Sequence, residues 1–214
     1  MAKVGPRGGS KPGTDDRSSA TRQALIGAAI ESLRFDGFSG ASARSIAARA
    51  DCAQGLVFYH FGSVPDLLLA ALDEVSARRM ERYSEAIESA QSASTLAEVA
   101  AQIFREDLDN GYVSVLVEMI AGATSSPALG DEVSKRIRPW LSFTRDVIDR
   151  ALAPTPFASV VPTDDAAYAV VALYLGLEML SHLDSDRSRA LALFERIGSL
   201  ASLIGLGDPH PQEA

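Results

Sequence analysis

Residues 42–61, SARSIAARADCAQGLVFYHF, constrain the chain more than any other stretch. Ser42 is suited to cap a helix, because its hydroxyl can accept one of the backbone N–H groups left free in the first turn. Ile46, Ala47 and Ala50 then recur at helical spacing as a narrow apolar stripe, which suits a short helix packed on a neighbour. A second short helix, about 53–59, follows after only Asp51 and Cys52. An aspartate tolerates the left-handed backbone that so tight a turn often needs. Ala53 and Gly55 open this helix with small side chains, so its N-terminus can approach a surface closely. The pattern is that of a helix-turn-helix.

The flanking chain reads as further helices. A first helix over about 19–35 would bury Leu25, Ile26, Ala29, Ile30 and Leu33, with Gly37 ending it and Phe38 filling the small core. Ser63, Pro65 and Asp66 mark the start of a long fourth helix running toward Glu88, through a hydroxyl cap, a first-turn proline and an acid at capping-box spacing. After a polar break at 91–94, Thr95 and Glu98 open a fifth helix to about 109, and Gly111 separates it from a sixth over 112–123. A pattern over 129–152 carries Pro139, expected to kink or divide it. A loop with three prolines spans 153–162, and two final helices cover about 163–183 and 186–204.

The expected class is all-α: a three-helix head with a helix-turn-helix, then a C-terminal helical bundle. The expected divisions are a disordered basic arm at 1–17, a head at 18–66, a body at 67–206 and a flexible tail at 207–214. Composition agrees, since aromatic residues are 7% and β-branched residues form no alternating runs. The single cysteine, Cys52, excludes an internal disulfide framework and suggests a reducing cytoplasm. The longest apolar run, 166–177, is cut off by Asp165 and Glu178 well short of the roughly 18–20 residues of a membrane span, and the N-terminus lacks the apolar core of a secretory signal.

The net charge of −8 conceals an asymmetry. Residues 1–60 hold eight Lys/Arg against five Asp/Glu, and the remaining 154 hold twelve against twenty-three. A basic end on an acidic body orients a protein toward phosphates.

The run from 37 to 68, GFSGASARSIAARADCAQGLVFYHFGSVPDLL, resembles the TetR family of bacterial transcriptional regulators. The matching positions are Gly37, Phe38, Ser42, Ile46, Ala47, Ala50, Gly55, His60, Phe61, Leu67 and Leu68. Three departures stand out. Asp51, Cys52 and Ala53 replace the usual Gly, Val and Ser, so the third helix loses its side-chain cap. Phe58 replaces a tyrosine that commonly binds phosphate, and Val64 replaces a lysine.

The resemblance implies that the third helix reads DNA through Gln54, Gly55, Leu56, Tyr59 and His60, with Ser42 and Arg44 at the start of the second. A guanidinium can bind guanine bidentately, whereas Leu56 offers only apolar contact, for instance to a thymine methyl. His60 is equally suited to a structural role at the helix end, and Phe58 and Phe61 are assigned to the core. Lys3, Arg7 and Lys11, spaced four apart among glycines and prolines, suit an arm lying in a minor groove or along phosphates, or a solvated tail.

The resemblance also implies a small-molecule effector bound among the middle helices. Candidates are Phe104, Tyr112, Met119, Trp140, Phe143 and Tyr174. Tyr174, Glu178 and His182 form a polar stripe that would orient a ligand, line a dimer seam or face water. Glu118 is assigned to a solvated face. The last two helices are apolar on more than one side, through Val170, Leu173, Leu177 and Leu180 on one and Leu193, Phe194, Ile197, Leu200 and Ile204 on the other. They are expected to build a homodimer.

An enzyme is a poor fit. Gly37-Phe38-Ser39-Gly40-Ala41 lacks the final glycine of a nucleophile elbow and the strand before it. The three histidines, His60, His182 and His210, form no convincing metal or catalytic pattern, and no cofactor is expected. The resemblance therefore implies a cytoplasmic DNA-binding repressor released from a pseudo-palindromic operator by a small molecule. The alternative is a dimeric ligand-binding or protein-interaction protein that has lost specific DNA binding.

Overall fold

The computed structural model describes residues 12–89, 93–183, 187–193 and 196, whose regular elements are all helices joined by short turns, with no strand among them. In order they form α1 (Pro12–Gly40), α2 (Ala43–Arg49), α3 (Gly55–Phe61), α4 (Val64–Ser89), α5 (Ala93–Asn110), α6 (Tyr112–Ala123), α7 (Pro127–Leu152), a 3-10 turn (Pro156–Ser159) and α8 (Thr163–Leu183), followed by a helical segment at 188–193. Most of the expected ninth helix, with Phe194, Ile197, Leu200 and Ile204, lies outside the described residues, as do Lys3, Arg7 and Lys11. Among the described residues no single helix is long and apolar enough to cross a membrane.

Two boundaries differ from expectation. Residues 12–17, assigned to the arm, are the first turns of α1. The helix α7 is not divided at Pro139. Proline removes only its own N–H, and Pro139 lies on the exposed side of α7, where water can take up the carbonyl left unbonded.

Local signals otherwise act as their chemistry dictates. Ser42 Oγ accepts the Ser45 N–H at 3.1 Å while Ser45 Oγ accepts the Ser42 N–H at 2.9 Å, a reciprocal capping box that starts α2. Asp51 takes the left-handed conformation at φ 49°. Gln54 leads into α3 without a side-chain cap. Ser63 Oγ accepts the Asp66 N–H at 3.2 Å and opens α4.

One apolar cluster joins the head to the body. Leu25, Leu33, Ile46, Val57, Leu67 and Leu68 are fully buried in it, and so are Val115 and Met119 of α6, while Leu129 and Val133 of α7 extend it. Phe104 and Leu108 of α5 anchor a second, smaller cluster with Ala190, against which Tyr174, Leu177 and Leu191 pack. At roughly 1.5–3 kcal/mol per fully buried large apolar side chain, the first cluster dominates cohesion and fixes the head against α4 and α6.

Candidate nucleic-acid interface and buried charged site

The helices α2 and α3 are clamped from behind. Ile46 and Val57 are buried, and Arg49 pairs with Asp36 at 2.7 Å and Glu31 at 3.5 Å, tying α2 to α1. The guanidinium of Arg22 lies 5.0 Å from the centre of the Phe61 ring and seats the end of α3. What remains outward is Ser42, Arg44, Gln54, Gly55, Phe58 and Tyr59, all exposed. Tyr59 is 77% exposed, and among the described residues Arg44 makes no ion pair.

Two side chains sit differently from expectation, and His60 packs at the end of its helix, one of the two roles it was suited to. Phe58, assigned to the core, is 49% exposed, because the register that buries Val57 and seats Phe61 turns Phe58 outward. Leu56 is half-buried against the core, so little of it is free for apolar contact with a base. His60 is half-buried between aromatic neighbours, its ring 5.0 Å edge-on from Tyr59 and 6.3 Å from Phe61.

The head meets the body on α6. Gly37 has φ 71° and breaks α1, freeing the N–H of Phe38, which donates to Glu118 Oε2 at 2.8 Å. The Phe38 ring lies on Gly122, where an added Cβ would come within 2.5 Å of it. Gly111, left-handed at φ 62°, lets the start of α6 approach Arg34. Glu118 was expected on a solvated face. It is half-buried, because the bend at Gly37 presents an unpaired backbone donor that only an inward-facing acceptor can satisfy.

Inside the body, Arg79 of α4 and Asp107 of α5 form a buried pair, with Asp107 only 3% exposed. Arg79 Nε lies 3.1 Å from both carboxylate oxygens of Asp107, and one Nη lies 2.5 Å from Oδ2. Tyr83 Oη donates to the same oxygen at 3.1 Å, and Tyr174 Oη donates to it as well. The Arg79 guanidinium lies 5.0 Å from the Trp140 ring centre and 5.8 Å from those of Tyr83 and Tyr174. Trp140 Nε1 donates to Ser76 Oγ at 2.8 Å. Burial works against the charge on Arg79, but Asp107 outweighs it and holds the guanidinium protonated. Burial also pushes both tyrosine hydroxyls well above their ordinary pKa, keeping them neutral donors.

Beside this pair lies Glu178, 6% exposed, whose Oε1 has no hydrogen-bond partner among the described residues. Burial, reinforced by the nearby Asp107 and opposed by Arg79 and Arg187, raises its pKa to about 7. A groove of about 340 Å³ runs between α4 and α5, with Arg79, Tyr83, Asp107 and Tyr112 among its lining residues. A smaller cavity of about 20 Å³, also lined by Arg79, reaches Tyr112 and Trp140.

The expected effector residues are therefore dispersed. Tyr174 and Glu178 face the Arg79–Asp107 pair, so neither points into water. Trp140 and Phe143 stack around Tyr83, and Tyr112 touches both cavities. Phe104 is fully buried, 5.2 Å edge-on from Tyr174. Met119 instead belongs to the apolar cluster joining head and body. The His182 side chain lies outside the described residues. Arg79, Tyr83 and Asp107 were missed, although the pattern held a signal. Asp107 falls three residues after Phe104 and four after Ile103, and Arg79 falls four after Val75, so both continue buried stripes.

Comparison with known proteins follows this division. Residues 25–71 match bacterial regulatory proteins of the tetR family. Over its length the chain resembles a TetR-family transcriptional regulator from Cytophaga hutchinsonii (TM-score 0.73, 17% identity, 90% of this chain and 98% of that chain). It also resembles a TetR transcriptional regulator from Chloroflexus aurantiacus J-10-FL (0.73, 18%, 87% and 96%). A third likeness is to the transcriptional regulator FadR from Bacillus subtilis, solved in complex with stearoyl-CoA (0.71, 17%, 83% and 96%). No curated protein matches the chain. At these identities the structural likeness is one of fold: residues 25–71 match the tetR-family model and form a helix-turn-helix head, set on a body with a fold similar to that of solved TetR-family transcriptional regulators.

Proposed function

We propose that this chain works as a homodimeric repressor that occupies a pseudo-palindromic operator and leaves it when a small molecule enters the body. The observation that carries the reading is the course of α6. Its first residue, Tyr112, lines the groove, and its later residues Glu118 and Gly122 hold Phe38 at the bend that leads into α2. A shift of α6 on ligand entry would therefore reach the head. Arg44, Gln54 and Tyr59 are the side chains assigned to the duplex, with Ser42, Gly55 and His60 at its edge, and Lys3, Arg7 and Lys11 are assigned to phosphates.

Dimerisation is supported by α8. Val170, Leu173, Met179, Leu180 and Leu183 are exposed on it, and Leu183 is 81% exposed, a larger apolar run than an isolated helical body leaves in water. A second copy packing there would hold two α3 helices near one DNA turn apart, about 34–36 Å. To act as a switch, the ligand must bind the released arrangement more tightly than the DNA-bound one, since equal affinity shifts nothing.

The test is selection of bound fragments from fragmented source-genome DNA at moderate salt, followed by sequencing. Enrichment of an inverted repeat is expected. Uniform or absent recovery by an intact dimer would defeat the reading.

A further inference from the structure

The protein's interior already holds one cation in a way that shows which chemistry it favours. Arg79 is gripped by a carboxylate and stacked beside three aromatic rings, the arrangement by which proteins hold ammonium and guanidinium groups. Asp107 balances Arg79, but Glu178 is balanced by nothing as close. Among the described residues its Oε1 has no donor, and Arg187, the other cation acting on it, is exposed and bonded to Asp109 at 3.0 Å. Among the described residues, two buried carboxylates thus face one buried cation.

The groove between α4 and α5 opens onto this imbalance. Asp107, Tyr83 and Arg79 contribute to its lining, and Glu81 and Glu85 add carboxylates. Its other arginines are already engaged, Arg78 with Glu74 at 2.6 Å and Arg82 with Glu106 across the groove. The groove's walls are themselves mostly charged, with four carboxylates (Glu81, Glu85, Glu106 and Asp107) against three guanidiniums (Arg78, Arg79 and Arg82), so the sign of its field is set by that excess and by Glu178 behind it. Arg79 and Asp107 offset one another for an ion of either sign, so the preference for a cation comes from Glu81 and Glu85 in the lining and from Glu178 behind the pair.

We propose that this groove takes a small organic cation, an amine or guanidinium on a short apolar body, with Tyr83 and Asp107 receiving its charged end and the uncompensated carboxylate of Glu178 supplying the attraction. This names the effector class for the regulator reading and rests on it. Glu178 acts through the field and is not a lining residue. The apolar end of the occupant would lie toward Tyr112, at the start of the helix that holds Phe38.

The experiment uses the full-length protein at pH 8 and two matched sets of probes, 2-phenylethylammonium with 3-phenylpropionate and 2-phenylethanol, and octylammonium with octanoate and octanol. Binding is followed by calorimetry and by the emission of Trp140, the single tryptophan, which stacks beside Arg79 and Tyr83. At least one ammonium is expected to bind saturably, tenfold or more tightly than its carboxylate and alcohol. Glu178→Gln is expected to weaken it tenfold or more and to leave the alcohol unchanged. Failure of both ammoniums to bind, equal or tighter binding of the carboxylates, or unchanged affinity in Glu178→Gln would overturn the proposal. The comparison of ammonium with carboxylate on the unaltered chain decides the matter even if the variant does not fold. Ammonium binding without operator selection would remove the regulator reading and leave the cation site. Operator selection without ammonium binding would do the reverse.

Discussion

Glu118, in the middle of α6, accepts the backbone N–H of Phe38 at 2.8 Å, and it is the one side chain of the body that hydrogen-bonds the main chain of the head among the described residues. The bond sits where α1 breaks at Gly37, and the Phe38 ring beside it lies on Gly122. Backbone bend, carboxylate and ring contact form one joint between head and body.

Disturbing that joint should separate two effects. Glu118→Ala leaves the Phe38 N–H half-buried without an acceptor, at a cost of about 1–3 kcal/mol. Glu118→Gln retains an acceptor oxygen and should recover most of that loss. Gly122→Ala places a methyl within 2.5 Å of the Phe38 ring, and relieving that overlap should cost about 1–3 kcal/mol. Denaturant titration measures all three, and hydrogen exchange at Phe38 should accelerate in Glu118→Ala but not in Glu118→Gln. Equal exchange in the two variants would show that the bond contributes nothing.

The buried pair in the body should behave asymmetrically. Asp107→Ala strands Arg79 among aromatic rings and should cost about 3–5 kcal/mol. Replacing both partners together, Arg79→Met with Asp107→Leu, leaves no buried charge from the pair and should recover much of the loss. Urea unfolding of the single and double variants checks this, and a double variant as unstable as Asp107→Ala would contradict it.

DNA readout has its own signature. Arg44→Ala should relax base preference, losing about 1–3 kcal/mol of discrimination at one position of the half-site. Removal of residues 1–11, with Lys3, Arg7 and Lys11, should weaken binding to all sequences and flatten its salt dependence. Fragment selection with each variant distinguishes these outcomes. Loss on all sequences alike for Arg44→Ala would assign that guanidinium to a phosphate.

The head was legible in the sequence because its signals are local. Ser42, Asp51 and Ser63 with Asp66 each act within a few residues, so spacing alone located them, while the return bond from Ser45 is added by the structure. Phe38 was legible as a core residue, but the acceptor of its N–H was not, because Glu118 lies eighty residues away. The body was less legible for the same reason. Arg79, Asp107 and Tyr174 come from three helices, and only packing brings them together. Trp140 and Tyr174, singled out in the sequence as candidate effector contacts, lie beside the cluster, whereas Met119, singled out with them, lies in the junction with the head.

The acid in that cluster should make stability depend on pH. Glu178 titrates near pH 7 in the folded chain and at about 4.3 when unfolded. Between those values the folded state keeps a proton that the unfolded state has lost, so folding takes up a proton and stability falls as pH rises through the window. The fall is complete above pH 7 and is on the order of 3 kcal/mol. Asp107 from α5 adds to the effect, and Arg79 from α4 and Arg187 beyond α8 oppose it, while Tyr174 on the same helix stays neutral. Glu178→Gln has no such proton to lose. Urea unfolding of both proteins at pH 5, 6, 7 and 8 should show the variant gaining on the wild type as pH rises, with its largest advantage at pH 8. A constant difference across that range would mean that Glu178 meets a donor or solvent in solution and carries its charge without cost.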